Sequence, residues 1–98
     1  ICLGTDAFHT PLELLNESKR FFEQRGYSIS IDVPYSGAIV PMQHYKKNKN
    51  VISIMLEINR KLYLQDETNM KISQFGGIKK LVQGYLDIIR NWKLKEKI

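Results

Sequence analysis

Cysteine is nearly missing from this chain. Cys2 is the single one, so no internal disulfide can form, and between Ile1 and Leu3 it reads as a small core residue of a cytoplasmic protein. Metal-binding spacing is missing too. The two histidines, His9 and His44, stand in different segments, and neither CxxC nor HExxH occurs, so any metal would draw its ligands mostly from outside this chain. No apolar run approaches the roughly 18 residues that cross a bilayer, and no charged-then-apolar signal segment opens the sequence, so no membrane partner is expected. No Ser-His-Asp or Cys-His arrangement is visible. GTD and FGG are too short for phosphate loops, and there is no internal repeat or low-complexity segment.

Acidic residues are in deficit. Ten Asp and Glu stand against 15 Lys and Arg, a formal charge of +5, with much of the excess in Tyr45 to Asn50 and beyond Lys79. Without a zinc-finger, RNP or helix-turn-helix framework, these lysines read as solvated faces, and no nucleic-acid partner is expected.

What remains is an ordinary composition over 98 residues, enough for one small domain spanning 1–98. The chain opens on ICLGT, which reads as the middle of a buried strand, and the expectation is a piece of a longer protein with part of its site elsewhere.

Along the chain, Ile1 to Thr5 reads as a short buried strand that leaves its sheet at Gly4, Thr5 and Asp6. A helix should follow, with Thr10 and Glu13 at capping-box spacing, Pro11 in the first position, Leu12, Leu15 and Phe22 on the apolar stripe, and Gly26 as the left-handed terminator. Tyr27 to Val33 alternates as a strand with one wet face. The first strand, helix and second strand fit a parallel crossover unit. Pro34 to Gly37 breaks the strand, Ala38 to Met42 reads as extended, and Lys46 to Asn50 as a solvated loop.

Val51 to Arg60 is the most apolar run, and it predicts a central strand covered on both faces. Glu57 lies inside it. A carboxylate there is either paired with a cation such as Arg60 or held for acid-base chemistry, and the residues alone leave both readings open. Lys61 to Asn69 reads as irregular, with Asp66, Thr68 and Asn69 suited to turns. A closing helix carries Phe75, Ile78, Leu81, Val82, Tyr85, Ile89 and Trp92 on one face, with Gly76 and Gly77 near its start.

Ligands of an open α/β sheet collect beyond the carboxyl ends of parallel strands. Three polar clusters are expected there: Thr5 to Thr10, Pro34 to Gly37, and Glu57 to Arg60. Together they offer a carboxylate, a guanidinium, an amide, a phenol, an imidazole and a helix N-terminus, a set suited to a substrate bearing carboxylates.

GTDAFHTP, GYSISIDVPYSG and MLEINRKLY, in this order and spacing, resemble the C-terminal part of the N-formylglutamate amidohydrolases, and the resemblance runs from Ile1 to about Leu64. It implies a zinc-dependent hydrolase on a carboxypeptidase-like α/β fold, cleaving N-formylglutamate to formate and glutamate in histidine breakdown. Glu57 would be the general base that activates a zinc-bound water, and Arg60, Asn59, Tyr35, Ser36 and His9 would line the pocket for an N-acyl amino acid. The family's metal ligands would lie outside this chain, so the piece alone is expected to be inactive and to expose a sheet edge through which it could form a homodimer. A different class of reading is a relative without catalysis that binds a small anionic ligand or a protein partner.

Overall fold

The computed structural model describes residues 1–64 and 75–92. They form two compact units divided after Ile58. The first holds strand β1 (Cys2–Gly4), helix α1 (Leu12–Glu23), strand β2 (Ser30–Ile31) and strand β3 (Met55–Glu57). The second holds a single 3₁₀ turn at Arg60–Leu62 and helix α2 (Phe75–Asn91). The architecture is α/β. Among the described residues no helix is long and apolar enough to cross a membrane.

The sheet is mixed and runs β2-β1-β3. β1 and β2 are parallel, with Cys2 opposite Ser30 and Leu3 opposite Ile31, as a strand-helix-strand crossover requires. β3 is antiparallel to β1, with Cys2 opposite Glu57, Leu3 opposite Leu56 and Gly4 opposite Met55. The central, fully covered strand is therefore β1, whose three residues are all buried.

Helix α1 departs from its expected start. Thr10 does not cap it: no side chain bonds the first turn, and Pro11 stands at the N-cap. The Thr10 hydroxyl is used between neighbouring segments instead, accepting from Asp6 N at 2.9 Å and donating to the Ser53 carbonyl at 2.6 Å. Leu12, placed on the apolar stripe by its spacing, is 70% exposed. The buried face is Leu14, Ser18, Phe21 and Phe22, which joins Cys2 and Leu3 in the core of this unit. The end is as the sequence implies. Gly26 takes φ 87°, its N–H meets the Glu23 carbonyl, and Tyr27 N–H reaches back to Phe22, the paired bonds of a Schellman motif.

The run from Val51 to Arg60 is the main correction. Only Met55–Glu57 is strand, it lies at the sheet's edge, and Glu57 is exposed. The reason is where the preceding backbone spends its hydrogen bonds. The Val51 carbonyl accepts from His9, and Ser53 bonds the His9–Thr10 segment through both its N–H and its carbonyl, so neither residue is left for a ladder.

Gly4 is required by close approach. A β-carbon there would run into the Gly37 carbonyl and the Met55 side chain, so the segment Tyr35 to Gly37 lies directly on this face of β1.

In the second unit, Asn59 Oδ1 accepts from Lys61 N at 3.0 Å and starts the 3₁₀ turn. Helix α2 buries Ile78, Leu81 and Tyr85, the face its spacing gives, and Gly76 and Gly77 fall in its first turn. The turn residues Asp66, Thr68 and Asn69 lie outside the described residues.

Candidate functional site

The loop leaving β1 is built around two side chains. Asp6 Oδ1 accepts from Phe8 N at 2.8 Å and His9 N at 3.1 Å, which folds the loop back on itself and turns the His9 ring inward. His9 is completely buried. Its Nε2 accepts from the Lys46 backbone N–H at 2.9 Å, so the ring proton sits on Nδ1 and is donated to the Val51 carbonyl at 2.7 Å. Both nitrogens are thus engaged inside the protein, and His9 acts on its surroundings by holding Lys46 and Val51 in place.

Asp32 closes the next loop. It follows β2 with φ 58°, and its carboxylate takes Thr5 N at 2.7 Å and Thr5 Oγ1 at 2.6 Å. The Thr5 hydroxyl, then the Thr5 and Gly37 backbone N–H groups, hold this carboxyl below its ordinary value of 3.8, outweighing the partial burial that acts the other way. A carboxyl lowered by folding stabilises the protein above its unfolded pKa, and this is lost as pH falls through the folded value. Asp32→Asn should therefore lower the melting temperature at neutral pH and flatten its decline below about pH 4. A variant with the wild-type acid profile would show that another carboxylate carries it.

Beyond the ends of β1 and β2 these loops enclose an open cleft of about 620 Å³, lined by Thr5, Asp6, Phe8, Asp32, Ser36 and Lys46, with Ala7, Gly37 and Tyr45 completing its wall. Of the residues expected to line a pocket, Ser36 is here. Tyr35 is 58% exposed, and its carbonyl accepts from Cys2 Sγ at 3.4 Å. Glu57 is not at this end of the sheet. Because β3 is antiparallel it pairs with Cys2, and Thr5 lies roughly 10 Å further along β1 at about 3.3 Å per residue. Directly paired residues project to one face, so Glu57, Cys2, Met55 and the Tyr35–Gly37 segment share a sheet face rather than one edge. The Glu57 carboxylate has no partner among the described residues of its unit. Arg60 and Asn59 belong to the second unit; both are exposed.

The described residues offer no donor set for zinc. No three His, Cys, Asp or Glu side chains stand together among them, the His9 nitrogens are taken, and both Asp32 oxygens are held by Thr5.

The family model of N-formylglutamate amidohydrolase matches residues 1–64, which include the cleft, the Tyr35–Gly37 segment and Glu57. The chain belongs to that family. No curated protein and no solved structure matches it. Membership relates the chain to hydrolases of N-formylglutamate and draws residues 1–64 together as the part that carries the family's character, leaving α2 outside the match.

Sequence reasoning passed over Asp32 and Lys46, reading the first as the wet face of a strand and the second as solvated loop. Two signals could have drawn attention to them: Asp32 directly precedes the Val-Pro-Tyr break, and Lys46 opens the lysine cluster of a stretch, Val33 to Leu56, that contains no acid at all.

Proposed function

We propose that this chain forms the C-terminal part, residues 1–98, of the catalytic domain of a hydrolase that cleaves N-formylglutamate, or a related N-acyl amino acid, to formate and the free amino acid. The observation that carries this reading is the family match over residues 1–64. Glu57 is the residue proposed for proton transfer. Water adds to the formyl carbon as its proton passes to the Glu57 carboxylate; the C–N bond then breaks, its electron pair stays on nitrogen, and Glu57 returns the proton to the leaving amine. The carboxylate is exposed and has no ion-pair partner among the described residues of its unit, which supports the role, since a group held in an ion pair would first have to lose its partner. Tyr35 and Ser36 lie on or beside the same sheet face and are proposed to contact the substrate, with Asn59 and Arg60 following Glu57 in the chain as further contacts. His9 takes part through Lys46, which it holds.

The carboxypeptidase-like fold, the dependence on zinc, the cytoplasmic setting and the place in histidine breakdown belong to the same reading. Zinc would be held by residues other than those described, and no step is assigned to it. On this reading residues 1–98 alone are inactive.

A second reading, a non-catalytic relative that binds a small anionic ligand, is favoured by the separation of Glu57 from the cleft. Incubating the full-length protein with N-formylglutamate distinguishes the two. Formate and glutamate released in equal amounts support the hydrolase, whereas saturable binding without release supports the binding protein.

A further inference from the structure

The turn that carries Tyr35 and Ser36 has little packing of its own, because Val33, Pro34, Tyr35 and Ser36 are all exposed. It is held from its ends. Asp32 opens it at φ 58°, a left-handed position that aspartate tolerates, and its carboxylate accepts from Thr5 N at 2.7 Å and from the Thr5 hydroxyl at 2.6 Å. Gly37 closes it at φ 90°, and its carbonyl lies against Gly4, where a β-carbon would meet it. Both ends therefore rest on two successive residues, Gly4 and Thr5, where β1 runs out. Between them the Cys2 thiol donates to the Tyr35 carbonyl at 3.4 Å. These anchors differ in kind. The contact with Gly4 keeps the turn from moving in toward the sheet but does not pull on it, and a thiol is a weak donor, so the short charge-assisted bonds from Thr5 to Asp32 are the strongest restraint against the turn moving away.

We propose that Thr5 and Asp32 are positioning residues for substrate binding: the bond between the Thr5 hydroxyl and the Asp32 carboxylate holds the turn so that Tyr35 and Ser36 meet the substrate without first being ordered. This rests on the proposed hydrolase reading, in which those two residues contact the N-acyl amino acid. A turn already held in its binding geometry spends none of the binding free energy on ordering. Loosening it raises KM more than it lowers kcat, since Glu57 stands on β3, whose pairing with β1 covers Cys2 to Gly4 and leaves out Thr5.

The test uses the full-length protein as wild type, Thr5→Val and Thr5→Ser. Valine keeps the shape and the backbone N–H bond but loses the hydroxyl, and serine keeps the hydroxyl. Thr5→Val should raise KM for N-formylglutamate about tenfold, with a smaller change in kcat, while Thr5→Ser stays near wild type. Calorimetry with N-formylglutamate on the Glu57→Gln background, where the titrant persists, should show the same loss of affinity in Thr5→Val and the same rescue in Thr5→Ser. Melting temperature read alongside separates binding from folding: a Thr5→Val protein that melts early but keeps its KM and its affinity would overturn the proposal and leave the clasp a purely structural one. Thr5→Ser losing as much as Thr5→Val would overturn it as well. If no formate is released by wild type while binding still depends on the Thr5 hydroxyl, the positioning role stands and the hydrolase reading fails. If formate is released with an unchanged KM in Thr5→Val, the hydrolase stands and the positioning role fails. Neither formate from wild type nor binding at millimolar concentration would overturn both.

Discussion

Replacing His9 by alanine should cost about 3–4 kcal/mol of folding stability, a large part of what a small domain possesses. The ring is wholly buried and makes two bonds to backbone, so its removal leaves the Lys46 N–H and the Val51 carbonyl without partners and opens a cavity beside the Tyr45 ring. The two backbone groups are part-buried, so losing their bonds to the ring costs about 1 kcal/mol each, and the packing of the wholly buried ring supplies the rest. The loss should reach β3 as well, because Val51 and Ser53 lead into it from the same clasp. Urea unfolding of wild type and His9→Ala gives the difference, with an unchanged slope showing that both lose the same surface. A loss below about 1 kcal/mol would mean that the histidine does not hold the clasp together.

In the full-length protein, Glu57→Gln should lower turnover by roughly 10²- to 10⁴-fold, the usual contribution of a positioned base, while leaving stability within about 0.5 kcal/mol of wild type. The second half follows from exposure. A buried ion pair broken by this change would cost several kcal/mol, but the Glu57 carboxylate is exposed at the end of an edge strand, without a partner among the described residues of its unit. Turnover and melting temperature measured on one preparation separate the roles. Early melting with normal turnover of the folded fraction would assign Glu57 to the fold, and near-normal turnover would remove it from the chemistry.

The elements that depend on local chemistry were legible in the residues. Gly26 terminates α1 because the left-handed position favours glycine, and Ile78, Leu81 and Tyr85 fall on one face of α2 because their spacing matches the helical repeat. The parallel pairing of β1 with β2 follows from the helix between them. The run Val51 to Arg60 misled for a reason periodicity does not carry: an apolar pattern reports which side chains avoid water, but not which backbone groups are already spent. Here Val51 and Ser53 are bonded to His9 and Thr10, 42 and 43 residues away for the side-chain bonds, and only Met55–Glu57 is left to pair. The antiparallel direction of β3 then moves Glu57 from the expected edge to the face it shares with Tyr35–Gly37. Thr10 illustrates the same limit, since its hydroxyl had a capping partner within reach in sequence and takes two partners elsewhere. The family character lay in GTDAFHTP, PYSG and EINRKLY, all within the matched residues 1–64.

On the proposed hydrolase reading, water cleaves the formyl–nitrogen bond of N-formylglutamate on the full-length protein. Running the reaction in ¹⁸O-labelled water and weighing both products tests it directly. Hydrolysis places a labelled oxygen in formate and none in glutamate, with the two formed in equal amounts. No formate, or formate without label, would rule out hydrolysis of that bond.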